Sequence, residues 1–230
     1  MTHCPLIVFF KAPILGTVKT RLARTLGQDK TLGLYRSFVT DVIEKAGSVG
    51  PLSLFYSPAG HPDEAKELAG GAGELIAQSG GDLGEKMAGA FEYEFSRGAA
   101  CAVLMGTDVP DVPVPLIREA CDALEQNQAV IGPVRDGGYF LVGFRADAYS
   151  RTFFQNIPWS TDRVCDKTLE IMGKHQIDCH VLSPWDDVDI QADYNALIHR
   201  LRTGQTQAPR TWAWIQRHED LNFNHNSGSE

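Results

Sequence analysis

The sequence predicts an α/β fold, a mostly parallel mixed sheet between layers of helices with one reversed strand. Three observations predict it. Seven short apolar runs alternate with amphipathic stretches along the chain. Several of the runs are continuous rather than alternating, the pattern of strands covered on both faces. Only "GPVRDGG", residues 132–138, separates two of them. That is too short for a crossover helix, so the two strands are expected to pair antiparallel or to sit apart with a tight loop.

The strand-like runs are Leu6 to Phe10, Leu52 to Tyr56, Glu74 to Gln78, Cys101 to Met105, Ala129 to Ile131, Tyr139 to Phe144 and Ile177 to Leu182. Between them, Leu32, Tyr35, Phe38, Val39, Val42 and Ile43 share one helical face, with Asp29 as the expected N-cap. Leu83, Met87, Phe91 and Phe95 recur every four residues in a second helix. A third begins near Val114, where Pro115 suits a first turn. A fourth is expected over residues 161–174, capped by Ser160 or Thr161, and a fifth over 190–202. Residues 1–204 read as one domain. Residues 205–230 read as a C-terminal extension, a short helix with a polar tail that would fray.

The chain of 230 residues is long enough for one sizeable core. A net charge of -8 argues against a general nucleic-acid binder, yet permits a local basic pocket. No apolar run reaches the ~20 residues of a membrane span, and no signal-peptide pattern opens the chain. The five cysteines lack CxxC spacing, which argues against a zinc site and for a reducing, cytoplasmic setting. Cys4 and Cys101 sit in apolar runs and read as small buried hydrophobes. His3 and His225 read as exposed.

Ligands of open α/β sheets collect beyond the carboxyl ends of the strands, and the unusual residues lie in loops there. The first, "KAPILGTVKTRL", gathers Lys11, Lys19 and Arg21, with Arg24 close behind, in an acidic protein. It has neither GxGxxG nor GxxxxGK[ST]. Gly16 would let the backbone approach an anion, and the three cations suit phosphate. A solvated basic turn is the bland alternative. In "GGDLGEKM", Gly81 and Asp82 could touch a nucleotide, or simply form a capped turn. In "MGTDVPD", Asp108 reads either as a divalent-metal ligand or as a turn residue, and Asp111 as a loop cap. In "RDGGY", Asp136 would contact a substrate hydroxyl or act as a base, and Asp-Gly is equally a hairpin signal. "WDDVD" crowds Asp186, Asp187 and Asp189, so Asp187 or Asp189 could supply a second metal ligand. Trp159, in "PWSTDRV", reads as core packing or as an acceptor-side lid.

"FFKAPILGTVKTRLA", "GGDLGEKM", "MGTDVPD", "IGPVRDGGYFLVG", "PWSTDRV" and "DVDIQADY" occur in that order between residues 9 and 194. Together they resemble the GT-A-type nucleotide-diphospho-sugar transferases. Within these they resemble a family of small bacterial proteins described as glycosyltransferases and related to nucleotidyltransferases. The resemblance implies a three-layer α/β/α Rossmann-like GT-A domain with a nucleotide over its first half. It implies Mg²⁺ or Mn²⁺ on Asp108 and a triphosphate on Lys11, Lys19 and Arg21, while Asp189 stays the candidate second metal ligand from "WDDVD". Lys19, Asp108 and Asp136 become the candidate catalytic residues, and Gly137, Gly138, Tyr139 and Trp159 the acceptor side. Two departures stand out. The family's "DVDTPED" reads "DVDIQAD" here, and the adjacent DxD carboxylates are replaced by "TDVPD".

The expected activity is a metal-dependent transfer from a nucleotide-activated donor to a small acceptor. Nucleotidyl transfer from an NTP is the alternative, and a non-catalytic nucleotide-binding sensor the reading from another class. A redox dinucleotide enzyme would need GxGxxG in the first loop and an acidic residue after the second strand, and neither is present.

Overall fold

The computed structural model describes residues 4–218. The polar tail, His3 and His225 lie outside the described residues. Seven strands form one sheet: β1 (Leu6–Lys11), β2 (Leu52–Ser57), β3 (Glu74–Ala77), β4 (Cys101–Gly106), β5 (Ala129–Pro133), β6 (Tyr139–Arg145) and β7 (Cys179–Val181). Their spatial order is β3-β2-β1-β4-β6-β5-β7. Strand β6 runs antiparallel to both neighbours, β4 and β5, and every other pairing is parallel. The short link between β5 and β6 therefore reverses the chain as its length requires.

Eight helices complete the described chain: α1 (Thr20–Leu26), α2 (Gln28–Gly47), α3 (Pro62–Ala69), α4 (Leu83–Ser96), α5 (Val114–Ala123), α6 (Val164–Lys174), α7 (Gln191–Arg202) and α8 (Pro209–His218). Alternate residues along the central strands feed opposite faces. Leu6, Val8 and Phe10 of β1, with Val103 and Met105 of β4, pack against Val39 and Val42 of α2 and Ile117 of α5. Ile7 and Phe9, with Ala102 and Leu104, face Met87 and Phe91 of α4 and Phe153 and Phe154 of the 3₁₀ turn Arg151–Phe154. A third apolar cluster joins Leu22 of α1 and Phe38 of α2 to Leu197 of α7 and Ile215 of α8.

Three helix starts differ from expectation. Helix α2 begins at Gln28 with Gly27 at its N-cap, so Asp29 lies in the first turn, where its charge favours the helix dipole. Helix α6 begins at Val164, not 161. Residues 158–163 form a loop in which Thr161 Oγ1 accepts from Arg163 N, and no side chain caps the helix. Helix α3 escaped the sequence reading, although Pro62 in its first turn, Asp63 and Glu64 behind it and a left-handed Gly70 at its end are ordinary helix signals. Asp82 caps α4 as expected: its Oδ1 accepts from Glu85 N at 2.8 Å.

Among the described residues no helix is long and apolar enough to cross a membrane.

Candidate functional site

A cavity of about 560 Å³ opens beyond the carboxyl ends of β1, β2 and β4. Lys11, Lys19 and Arg21 line it from the first loop, Asp108 from the loop after β4, and Asp189 from the segment before α7. Gly16, Gly81, Asp82, Asp136, Gly137, Gly138 and Trp159 are not in its wall, whereas Tyr139 is.

At its centre is Lys19. Its ammonium lies 2.6 Å from Asp108 Oδ1 and 2.6 Å from Asp189 Oδ1, and its side chain is 5% exposed. Burial alone would favour losing the proton. The two carboxylates outweigh burial and hold the lysine pKa above its ordinary value. Asp189 spends its other oxygen on Arg21 Nη2. Burial would raise the Asp189 pKa, but Lys19 and Arg21 prevail and keep it below the usual carboxylate range. The Lys19 backbone is left-handed, with φ 45° and ψ 45°. For a residue with a Cβ that conformation is costly, and here it aims the side chain inward between the carboxylates.

The loops that carry these groups are tied together. Val188 N donates to Asp108 O at 2.9 Å, which fastens the segment bearing Asp189 to the loop after β4. Asp111 is not a loop cap. It is buried, and its carboxylate accepts from Arg200 Nε at 2.7 Å, Thr206 Oγ1 at 2.9 Å and Trp185 Nε1 at 3.3 Å. Lys45 of α2 donates to Pro110 O, Val112 O and Gln207 O. The first-loop wall is braced by Tyr35, whose hydroxyl accepts from Lys11 N at 2.7 Å and donates to Lys11 O at 3.1 Å.

The remaining expected residues sit at the margins. Gly81 N donates to Glu85 Oε2 at 2.6 Å, so Gly81 and Asp82 together build the start of α4. Asp136 Oδ1 accepts from Gly138 N at 3.0 Å within the turn before β6. Gly137 has φ +92°, and a Cβ there would lie 1.9 Å from Asp162 O. Cys165 N donates to Gly137 O at 2.8 Å. The glycine turn is thus locked to the loop that leads into α6. Trp159 packs beside Gly84 of α4 and joins the apolar cluster on that face.

Sequence reasoning missed Lys86 and Tyr35 as cavity residues. Lys86 follows the Asp82 cap by one turn, and that spacing could have placed it. Tyr35 fell within an apolar stripe, and nothing local marks its hydroxyl as a brace for Lys11.

Among the described residues, no group of three or more acidic, histidine or cysteine side chains is arranged to hold a metal by itself. The donor set suits a different coordination. Mg²⁺ is commonly bound by one or two carboxylates, with phosphate oxygens and water supplying the rest. Asp108 fits that role: its side chain is 49% exposed to the cavity side and meets Lys19 through Oδ1. Asp187, two residues before Asp189, is pushed up to about 7 by burial and by the negative charge of Asp136 and Asp189. Carboxylates this crowded favour an added cation. Asp189 fits less simply, because both its oxygens already face cations.

A family model described as an uncharacterized protein conserved in bacteria, DUF2064, matches residues 42–161, just over half of the chain. The chain belongs to that family. The matched DUF2064 segment includes Asp108 and the glycine turn, but begins after the basic first loop. A crystal structure described as a "putative nucleotide-diphospho-sugar transferase", from Desulfovibrio desulfuricans G20, extends the likeness to 94% of this chain and 95% of that one, with 36% identity and a TM-score of 0.87. Two further structures share the fold alone. A nucleotidyl transferase from Methanothermobacter thermautotroptrophicus is 14% identical, with a TM-score of 0.60 over 88% of this chain and 100% of that one. A cytidylyltransferase from Leptospira borgpetersenii is 12% identical, with a TM-score of 0.57 over 94% and 92%. A comparison with proteins of curated function returns no match.

Proposed function

We propose that this DUF2064 protein is a metal-dependent transferase that uses a nucleotide-diphospho-sugar and passes the sugar to a small acceptor. One observation carries the reading. Lys19 and Arg21 converge with Asp108 and Asp189 in a cavity of about 560 Å³ at the carboxyl ends of the strands, large enough for a nucleotide. The 36% identical structure is described as acting on that donor class.

In this reading Asp108, with Asp189, would hold Mg²⁺ or Mn²⁺. Such an ion would supply Lewis-acid neutralisation of phosphate charge there. Lys19 and Arg21 place fixed positive charge where negative charge grows, and burial of Lys19 strengthens its effect. Lys11 and Lys86, on the cavity wall, hold the outer phosphate oxygens. Tyr139, with Gly137, Gly138 and Trp159 around it, forms the acceptor side. There Asp136 orients or deprotonates the acceptor hydroxyl. The Asp136→Asn variant keeps an oxygen for Gly138 N, so it separates chemistry from turn formation. Unchanged turnover would make Asp136 a turn former only.

Nucleotidyl transfer from an NTP is the second reading. It is favoured by the carboxylates themselves, which come from two distant loops rather than from an adjacent DxD pair. A thermal-shift panel of NDP-sugars and NTPs, each with Mg²⁺ or Mn²⁺, decides between them. A ligand at 100 times its Kd adds about 2.7 kcal/mol, or roughly 5–10 °C for a chain of this size. The NDP-sugars should give the larger shift. A larger shift with a triphosphate selects the second reading, and no metal-dependent shift with either refutes both.

A further inference from the structure

The opposite end of the sheet carries a second cluster of reactive groups. Leu6 of β1 pairs in register with Val103 of β4, and Val103 N donates to Pro5 O at 3.1 Å. Continued two residues back, that register sets Cys4, just before β1, opposite Cys101 at the start of β4. Parallel strands keep parity, so these two thiols leave the sheet on the same face as Leu6 and Val103. That face is covered by α5, and its Cys121 packs against the same apolar cluster as Cys4 and Cys101. All five cysteines are free thiols.

The spacing and the environments differ in useful ways. Neighbouring strands lie about 4.8 Å apart, within the roughly 4.4–6.8 Å between Cα atoms that a disulfide spans. Cys4 is buried, whereas Cys101 and Cys121 are partly exposed. The neighbouring Cys101 and Cys121 thiols push the Cys4 pKa up, and Cys4 in turn pulls theirs down. Burial and Glu125 oppose the Cys101 thiolate, and Arg145, opposite Cys101 on β6 but paired with Asp147, favours it less strongly. Of the pair, Cys101 is the one a small disulfide can reach, and access is one of the things that decide which thiol reacts.

We propose that Cys4, Cys101 and Cys121 form a thiol site that exchanges with low-molecular-weight disulfides and closes a Cys4–Cys101 bridge. Cys101 thiolate attacks one sulfur of the small disulfide. That S–S bond breaks, the first small thiolate leaves and takes up a proton, and a mixed disulfide remains on Cys101. Cys4 then attacks Cys101 Sγ, the bond between Cys101 and the small sulfur breaks, and the second small thiolate leaves with the proton that Cys4 gives up. Two protein thiols are oxidised and one small disulfide is reduced to two thiols. The bridge staples the amino ends of β1 and β4, roughly 20 Å along the strands from the cavity. It is independent of the reading of that cavity.

The test treats the full chain with oxidised glutathione, alkylates the remaining thiols and maps the peptides by mass. The expected product is the Cys4–Cys101 disulfide, with an intact mass lower by two hydrogens and recovery of all five thiols on reduction. Cys165 and Cys179, pushed by burial up to about 11 and about 12, serve as internal references. Cys101 should react at least about tenfold faster than either. In Cys4→Ser the glutathione mixed disulfide should accumulate on Cys101, and in Cys121→Ser the Cys4–Cys101 bridge should still close. The proposal is overturned if Cys101 reacts no faster than the references, or if the wild-type chain stops at the mixed disulfide.

Discussion

Replacing Lys19 tests the centre of the site, and two substitutions separate its two physical terms. Lys19→Ala removes an ammonium that two carboxylates share at 2.6 Å each. Breaking a fully buried ion pair by removing one partner costs about 3–5 kcal/mol, because the other charge is left uncompensated. Here the penalty is smaller: Asp108 is half-exposed and Asp189 keeps Arg21. About 2 kcal/mol is the expected loss, a fall in Tm of about 4–8 °C. The left-handed backbone at this position is equally unfavourable for lysine and alanine, so it cancels in that comparison. Lys19→Gly removes the same ion pairs but relieves the backbone, recovering about 1 kcal/mol. Urea unfolding followed by circular dichroism should therefore rank the wild type above Lys19→Gly, and Lys19→Gly above Lys19→Ala. The acid limb adds a sign check. Asp189 is held below its ordinary pKa, so its contribution is present above about pH 4 and is lost as pH falls through its folded value. Lys19→Ala should show a weaker loss there. A Lys19→Ala protein as stable as the wild type would refute the pairing. Equal stability of the two variants would refute the backbone argument.

Asp108→Ala should abolish the metal-dependent thermal shift while lowering stability by less than about 1 kcal/mol, since its carboxylate is half-exposed; a retained metal shift removes it from the metal site. Asp111→Ala should cost about 3 kcal/mol in urea unfolding, because the largely buried Arg200 loses its 2.7 Å partner and keeps only Asp186 at 3.6 Å; a loss below about 1 kcal/mol would show that Asp111 is not what holds the loops together. Gly137→Ala should be poorly tolerated, with a Cβ placed 1.9 Å from Asp162 O at a φ of +92°, and proteolysis should open the 158–163 loop first; wild-type Tm and cleavage would disprove that lock.

The strands were legible because each is a local pattern. Five or six apolar residues in a row, such as LIVFF or YFLVGF, announce a buried strand without reference to anything distant. The reversed strand β6 followed from chain length alone. Helix α6 shows where local reading stops. Ser160 and Thr161 are good caps by type, yet Gly137 docks against Asp162 and holds that stretch as loop. The site divides the same way. Lys11, Lys19, Arg21 and Asp108 could be named from their positions after strands. That Lys19 is shared between Asp108 and Asp189 could not, since a contact across 170 residues leaves no trace in spacing. Asp111 looked like a turn residue because its three partners come from residues 185, 200 and 206.

That long reach bears on how the protein is made. Lys19 emerges early in synthesis and Asp189 170 residues later, a delay of about 8–35 s at the usual speed of a ribosome. Until then, the cavity lacks one wall, and the backbone amide of Val188 that fastens it to Asp108 does not yet exist. The nascent chain can assemble β1, β2 and β4 while its most buried cation is still half-paired. The nucleotide-sized pocket is completed among the last parts of the molecule, so a stalled or shortened chain would carry a sheet without a site.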